Sequence, residues 1–250
     1  MRASIPPDWA APPGTELLDD RRADPDAVRA ELADIARLNR LFGGTRAVLE
    51  ALEPLLTAPS EPRATLKDSL TVARNAQRRL TLLDIGTGAG DIPQAVVATA
   101  ERHGVSVLPI GLDVIPAAAR LARRNGVRSV VGDGNAPPFA PKSVDLVVAS
   151  QVLHHLPPAV AVTWLREFDR LARRAVVVAD LYRSRLAMAG VWLAAGPLGM
   201  SGASRRDAVV SLRRGFTVPE LESLLDAAGV RARVFRRPWA RIVAVWEPRQ

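Results

Sequence analysis

The sequence predicts an α/β protein whose sheet is mostly parallel and covered by helices on both faces. Segments typical of strands alternate along the chain with segments of helical periodicity, which is the pattern of a parallel sheet. The strand segments are nearly continuous apolar runs, as expected when both faces of a sheet are buried. The predicted strands are 80–85, 106–113, 128–131, 144–149 and 174–180, and the predicted helices are 91–103, 116–125 and 158–172.

A helical region is expected before the first strand. Residues 1–23 are rich in proline and lack periodicity, so we expect them to be loosely held. Asp24 and Pro25 are typical of a helix N-terminus, and Gly43-Gly44 marks the end of that helix. A second amphipathic helix follows, and residues 66–78 favour a third. The chain is therefore divided into a flexible segment with a helical cap, 1–78, and a main domain, 79–250.

The pattern changes after the fifth strand. Residues 183–215 combine an apolar stretch with a segment rich in serine and arginine. A helix is expected at 217–228, with Thr217 and Glu220 as a capping box and Gly229 at its end. Two further strands are predicted to close the chain, at 231–237 and 241–247.

Composition excludes several classes of protein. The 250 residues contain no cysteine and three histidines, so neither a thiolate site nor a histidine metal cluster is expected. The N-terminus has no apolar signal segment and no run reaches the roughly 18 apolar residues of a membrane span, which favours a cytoplasmic protein without a transmembrane segment. The net charge of +8 suggests nucleic acid as a partner, but the arginines are dispersed and aromatic residues are scarce, so we expect no such partner.

The most informative stretch is Leu82-Leu83-Asp84-Ile85-Gly86-Thr87-Gly88-Ala89-Gly90-Asp91. An apolar strand ends in a carboxylate, passes through three alternate glycines and opens into a helix, so a ligand is expected against the end of the first strand. The third glycine follows the second by two positions, whereas the dinucleotide fingerprint requires three. Because acidic residues flank the glycines, a cationic ligand suits this loop better than a pyrophosphate.

This stretch resembles the first motif of class I S-adenosylmethionine (SAM) methyltransferases, whose cofactor carries a sulfonium and an ammonium. Three more segments resemble later motifs in family order: Gly111–Ile115, Gly132–Phe139 and Ser143–Leu156. The pattern is similar to the ubiquinone/menaquinone group and to methyltransferases of secondary metabolism. The resemblance implies a Rossmann-like, doubly wound, mostly parallel sheet with a C-terminal antiparallel hairpin, an N-terminal helical cap, and SAM as the cofactor.

The resemblance also implies roles for individual residues. Asp84 would stabilise the glycine loop and the amino group of the cofactor, Asp113 would hold the ribose hydroxyls, and Asp133 would contact the adenine amino group. Ser150 would line the methionine side. The other cofactor-binding residues implied are Gly86, Thr87, Gly88, Gly90, Val114, Gly134 and Asn135.

The catalytic residue is less well defined, because methyl transfer needs alignment and desolvation more than acid–base chemistry. His154 and His155 follow the fourth predicted strand, and either imidazole is a candidate general base. The alternative is structural, since such a Leu-His-His-Leu run is common in the family among members with different substrates. No metal is predicted.

The expected reaction is methylation of a small hydrophobic acceptor, phenolic, quinone-like or polyketide, with O-methylation favoured. Residues 183–215 would supply a lid, a homodimer surface or a membrane-facing helix, and a plain surface helix with a solvated loop is the alternative. Arginines flanking this segment are candidates to meet an acidic or phenolate acceptor: Arg183, Arg185, Arg205 and Arg206. Two other functions stay open, a nucleic-acid methyltransferase and a non-catalytic binding protein of the same fold.

Overall fold

Seven strands form one sheet in the computed structural model, which describes residues 16–57, 78–194, 197, 199–200 and 202–249. The strands are β1 (Arg78–Ile85), β2 (Val105–Asp113), β3 (Arg128–Val131), β4 (Val144–Ser150), β5 (Ala172–Leu181), β6 (Arg233–Arg237) and β7 (Arg241–Trp246). Their order across the sheet is β3-β2-β1-β4-β5-β7-β6. The first five pair in parallel, whereas β7 pairs antiparallel with both β5 and β6. The predicted mostly parallel sheet with a C-terminal antiparallel hairpin is confirmed.

Eight α-helices accompany the sheet in the described part of the chain. They are α1 (Pro25–Leu41), α2 (Gly44–Thr57), α3 (Asp91–Arg102), α4 (Pro116–Arg124), α5 (Pro158–Leu171), α6 (Arg185–Ala194), α7 (Gly202–Arg214) and α8 (Val218–Ala228). None of these eight is long and apolar enough to cross a lipid bilayer.

The sheet is buried on both faces, as the apolar strand runs predict. Leu83 and Ile85 of β1 pack in one cluster with residues of α5 and α8, while Leu80 and Leu82 pack on the other face with residues of α2 and α3. The alternation follows the two-residue period of a strand. A third, smaller cluster joins α1 to α4 through Val28, Leu32, Ile115 and Ala118. Helix α1 is thereby fixed above the C-terminal edge of the sheet.

The order of the strands indicates where on the sheet a ligand is expected to bind. From β1 the chain proceeds to β2 and β3 on one side, and then to β4 and β5 on the other. The C-terminal ends of β1 and β4 therefore flank a crevice, which is where ligands bind in open α/β sheets.

Several expectations need correction. Arg78 begins β1 rather than ending a helix, and residues 66–77 of that predicted helix lie outside the described residues. The strand expected at 231–237 begins at Arg233. Asp24 precedes α1 as expected, but its side chain makes no capping hydrogen bond. The serine- and arginine-rich segment is not a solvated loop: from Gly202 it forms α7, whose residues Ser204 and Leu212 are buried.

The expectation of a loosely held N-terminal segment is wrong for residues 16–19. Leu17–Asp19 forms a 3-10 turn, and Glu16 is buried. The Leu17 N–H donates to Asp207 of α7 (3.0 Å), and Arg214 of the same helix binds Glu16 (2.8 Å). Charged side chains hold this turn in place together with Leu18, which packs against the cluster between α1 and α4; hydrophobic periodicity does not reveal the charged contacts.

Candidate active site

A cavity of about 900 Å³ lies at the C-terminal edge of the sheet. Its volume is typical of small-molecule sites. The glycine loop after β1, the ends of β2, β4 and β5, and parts of α1, α6 and α7 form its wall. The predicted site residues that line it are Asp84, Gly86, Thr87, Gly88, Asp113, Val114, Asp133, Gly134, Asn135, Ser150, His154 and His155.

Gly90 is the one predicted site residue that does not line the cavity. It caps α3 with a φ of 81°, a left-handed conformation that favours glycine. A Cβ at this position would lie 2.8 Å from Val127 Cγ2, so the start of helix α3 could not pack as closely against the segment before β3. Its role in this structure is conformational, and a contact between Gly90 and the cofactor stays a prediction. Gly86, also at positive φ, does line the cavity.

Asp113 ends β2 with both carboxylate oxygens held by backbone N–H groups. Oδ2 accepts from Gly88 and Oδ1 from Ile115, each at 2.8 Å. Burial raises the pKa of Asp113 above its ordinary value, although these N–H donors oppose the shift. The carboxylate thus ties the glycine loop to β2 and is oriented before any ligand binds.

Asp84 is the residue before the last of β1 and is almost fully buried. Its Oδ1 has no hydrogen-bond partner among the described residues. Burial raises its pKa to about 8, and the negative charges of Asp91 and Asp113 add to the shift. Three carboxylates around one loop favour a cationic ligand, because such a ligand would relieve both the repulsion and the desolvation.

Asp133, Gly134 and Asn135 form a turn against Trp164. The Asn135 N–H and side-chain amide both donate to Asp133 Oδ1 (2.9 and 2.8 Å), and Arg21 donates to Oδ2 at 2.8 Å. The Asn135 backbone N–H, aided by Arg21, holds the pKa of Asp133 below its ordinary value. A Cβ on Gly134 would lie 2.4 Å from the Trp164 ring, so only glycine fits here. An adenine contact by Asp133 stays a prediction.

His154 and Asp180 form a buried pair, with 2.6 Å between Nδ1 and Oδ1. Asp180 also accepts from the backbone N–H groups of Leu181 (2.7 Å) and Leu153 (3.0 Å). Although burial opposes it, the neighbouring His154 holds the pKa of Asp180 below its ordinary value. An ionised Asp180 accepts the proton that His154 carries on Nδ1, so Nε2 is the ring nitrogen left for a ligand. This Nε2 is buried and has no partner among the described residues.

His155 occupies a different environment. Its Nδ1 lies 2.8 Å from Asp19 Oδ1, and Arg214 binds the same carboxylate through Oδ2 at 3.1 Å. Burial lowers the pKa of His155, but the hydrogen bond to Asp19 and the charges of Glu16 and Asp19 outweigh it, and the net shift is upward. The residue fastens the N-terminal turn, so of the two predicted bases the geometry favours His154.

Glu16, His154 and His155 offer ligand-type atoms within 4.8 Å of one another. The oxygens of Glu16 are already engaged by Arg214 (2.8 Å) and Ser211 (2.6 Å). Because a guanidinium supplies the positive charge here, we assign no metal to this cluster.

The donors and acceptors of the cavity fit SAM. Among the described residues, buried polar atoms without a hydrogen-bond partner that belong to cavity-lining side chains are Asp84 Oδ1, Thr87 Oγ1, Ser150 Oγ, His154 Nε2 and Arg241 Nη1. Buried polar groups are normally paired, so these atoms indicate a ligand. The acceptor oxygen of Asp84 suits an ammonium, and Asp113 suits vicinal hydroxyls.

Sequence reasoning missed Asp180 and Arg241. Asp180 lies next to the end of the apolar strand β5 as Asp84 does in β1, so the same signal was present. Arg241 could not be found, because its burial depends on the pairing of β7 with β5. The flanking arginines expected to meet the acceptor do not line the cavity. Arg183 pairs with Glu220, and Arg205 stacks over Trp192 at 3.7 Å.

The fold and this site define a class of protein, the SAM-dependent methyltransferases. Residues 83–179 match the family model described as "Methyltransferase domain". These residues of the chain therefore form a methyltransferase domain, and this domain and the fold support an enzyme with SAM as its cofactor. A search of curated protein sequences finds no significant match.

Solved structures share the fold. A putative SAM-dependent methyltransferase from Methanococcus maripaludis has a TM-score of 0.59 at 14% identity, with 91% of this chain and 94% of that chain covered. A SAM-dependent methyltransferase from Aquifex aeolicus has a TM-score of 0.55 at 18% identity, with 89% and 97% covered. An O-methyltransferase family 2 protein from Planctomyces limnophilus, in complex with apigenin, has a TM-score of 0.56 at 19% identity, with 92% and 65% covered.

Proposed function

We propose that this enzyme methylates a small hydrophobic acceptor, phenolic, quinone-like or polyketide, on an oxygen atom. The observation that carries the proposal is the buried His154–Asp180 pair, in which His154 lines the cavity and its Nε2 has no hydrogen-bond partner among the described residues. A phenol or enol needs a base before it becomes a good nucleophile, and a neutral imidazole has a pKa suited to this task near neutrality.

The mechanism assigns a task to each group of residues. Bound SAM supplies a methyl group activated by its sulfonium. Asp84 and Asp113 hold the cofactor at the ends of β1 and β2. His154 takes the hydroxyl proton on Nε2, and Asp180 stabilises the imidazolium that results. Helices α1, α6 and α7 exclude water from the reacting groups, which strengthens these interactions.

The acceptor side of the cavity supports an apolar ligand. Leu38, Phe42, Leu186, Leu193 and Leu212 line it beside Tyr182 and Trp239. The structural neighbour from Planctomyces limnophilus was solved with apigenin, a phenolic compound. Both observations support a phenolic or similarly aromatic acceptor.

Helix α6 is the most exposed apolar element in the described part of the chain. Leu186 is 84% exposed, Leu193 69% and Trp192 56%. Because α6 also lines the cavity, we propose it as a wall past which the acceptor enters. A homodimer through this face and a cytoplasmic location stay predictions from the sequence.

A nucleic-acid acceptor has less support. The cavity wall carries Glu16, Asp19, Asp84, Asp91 and Asp113, and this negative charge would repel a phosphate backbone.

Replacement of His154 tests the proposal. With radiolabelled SAM and phenolic acceptors such as apigenin, we expect His154→Gln to lower kcat by about 10²–10⁴-fold. Asp180→Asn should lower kcat as well, because the imidazole loses its orientation and its counter-charge. The affinity for S-adenosylhomocysteine should stay unchanged in His154→Gln.

The exposed His103, which ends α3, is the matched control, and His103→Gln should leave kcat unchanged. Equal losses of turnover and cofactor affinity in His154→Gln would contradict the base assignment. Absence of methyl transfer to every phenol, enol and hydroquinone tested would contradict the acceptor class.

A further inference from the structure

Arg241 is a buried cation with unused hydrogen-bonding capacity. It is the first residue of β7, only 5% exposed, and it lines the cavity. Its Nε donates to the Phe42 carbonyl at 3.1 Å. Its Nη1 is buried and has no hydrogen-bond partner among the described residues. Burial lowers the pKa of Arg241 to about 10, so the side chain is still charged at neutral pH.

The nearest candidate partner, Asp180, is engaged elsewhere. Arg241 pairs in register with Leu181, the residue after Asp180. The oxygens of Asp180, however, are hydrogen-bonded to His154 and to two backbone N–H groups. The charge of Asp180 compensates that of Arg241 in part, but a buried guanidinium also needs hydrogen-bond acceptors for its N–H groups. A buried guanidinium that lines a cavity and has no partner for Nη1 among the described residues is therefore a site for an anionic oxygen.

The other arginines of the cavity wall are already occupied. Arg21 binds Asp133 at 2.8 Å, and Arg236 lies over the Tyr182 ring at 4.0 Å. Among the described cavity-lining residues, Arg241 is thus the cation best placed to receive an anion from the ligand.

Strand order places this cation on the acceptor side. Four features follow one another along the sheet edge. Asp84 lies next to the end of β1, β4 leads into His154, Asp180 lies next to the end of β5, and Arg241 begins β7. Three steps of about 4.8 Å separate β1 from β7, so the Arg241 backbone lies about 14 Å from that of the glycine-loop strand. Asp180, which holds the base, lies on the strand next to that of Arg241.

From these contacts we infer that Arg241 binds a carboxylate or other oxyanion of the bound ligand, and that the acceptor is a hydroxylated aromatic or enolic acid. The inference rests on the proposed function, because it places the acceptor beside His154. The same chemistry is offered by the carboxylate of the methionine part of SAM, so the experiment must separate the two sources.

The test is calorimetric titration with an alkylated 2-hydroxybenzoate and with the alkylphenol that lacks the carboxylate, both at saturating S-adenosylhomocysteine. We expect the wild-type enzyme to bind the hydroxybenzoate at least tenfold more tightly than the phenol. Arg241→Gln should abolish this preference, and Arg241→Lys should keep part of it. Arg233→Gln, an exposed arginine of the same hairpin, should have no effect.

A second pair of titrations identifies the source of the anion. S-adenosylhomocysteine carries the amino-acid carboxylate and 5′-methylthioadenosine does not. If Arg241→Gln weakens only S-adenosylhomocysteine by tenfold or more, Arg241 binds the cofactor carboxylate and the acid assignment for the acceptor is wrong. If Arg241→Gln changes neither the preference for hydroxybenzoate over phenol nor that for S-adenosylhomocysteine over 5′-methylthioadenosine, the inference is overturned.

Two further readouts keep the inference testable. Should Arg241→Gln fail to fold, as judged by circular dichroism, the wild-type preference alone decides, and a ratio below threefold between the hydroxybenzoate and the phenol overturns the inference. Failure of the proposed function would appear separately, as unchanged turnover in His154→Gln.

Discussion

At the scale of the residue, carboxylates at strand ends carry most of the chemistry. Asp113 is the last residue of β2, Asp84 and Asp180 are the residues before the last of β1 and β5, and all three are buried. Asp113 and Asp180 are satisfied by backbone N–H groups, whereas Asp84 retains an unpaired oxygen. The backbone therefore orients Asp113 and Asp180 in advance, while Asp84 is the acid best suited to compensate the charge of a cationic ligand.

Removal of the Asp113 carboxylate should weaken cofactor binding. Asp113→Ala removes charge-assisted hydrogen bonds to the ribose and the anchor of Gly88, so we expect a loss of about 1–3 kcal/mol in SAM affinity. Calorimetry measures this, with the exposed Asp226→Ala of α8 as the control. Unchanged affinity in a folded Asp113→Ala protein would mean that the ribose acid has been assigned incorrectly.

Asp84 predicts how the stability of the unliganded enzyme depends on pH. Its pKa is about 8 in the folded protein and about 3.9 when unfolded, so between these values the folded state binds the extra proton. Its contribution to stability is fully present below about pH 4 and is lost as pH rises through 8. The raised pKa values of Asp91 and Asp113 act in the same direction.

We therefore expect the Tm of the unliganded protein to fall by several degrees between pH 6 and pH 8.5, because each kcal/mol is worth about 2–4 °C in a domain of this size. Asp84→Asn should reduce the slope. Thermal denaturation monitored by circular dichroism measures both proteins, and an undiminished slope in the variant would contradict the assignment.

At the scale of the element, the N-terminal turn and α7 form one side of the site. Arg214 of α7 binds Glu16 and Asp19, and Asp19 binds His155. These ion pairs join the N-terminal turn, with Glu16 and Asp19, to helix α7, which lies far away in the sequence. The attachment of this turn should therefore respond to a single substitution at Arg214.

Arg214→Met should destabilise the protein by about 3–5 kcal/mol, because it leaves Glu16 and Asp19 as buried anions without their main counter-charge. The neighbouring Arg213 is exposed, and Arg213→Met provides the control. Urea denaturation measures the free energy of unfolding of both variants. Similar stability of the two would show that the ion pairs contribute little to holding the turn.

Some elements and site residues could be predicted from the sequence, and others could not. Strands and helices of the main domain could be predicted, because buried strands are apolar runs and helix ends carry signals such as Gly90 and the Thr217–Glu220 capping box. The cavity-lining carboxylates Asp84 and Asp113 could be predicted because they lie at or next to the ends of such strands. Arg241 and the Glu16 turn could not, since their burial arises from contacts between distant segments.

At the scale of the whole molecule, the charge of +8 and the acidic cavity wall coexist. Some arginines of the described surface are engaged locally, as in Arg46–Glu50 and Arg173–Asp145, while several other acids line the cavity at the C-terminal edge of the sheet. The net charge therefore says little about the ligand, and the local distribution favours a cationic cofactor.

The most direct test of this account is calorimetric titration of the protein with SAM, S-adenosylhomocysteine and NAD. We expect micromolar binding of the two adenosyl ligands, because Asp84 and Asp113 fit their ammonium and ribose, and no binding of NAD, because the glycine loop lacks the dinucleotide spacing. Binding of NAD without either adenosyl ligand would contradict the assignment of the cavity.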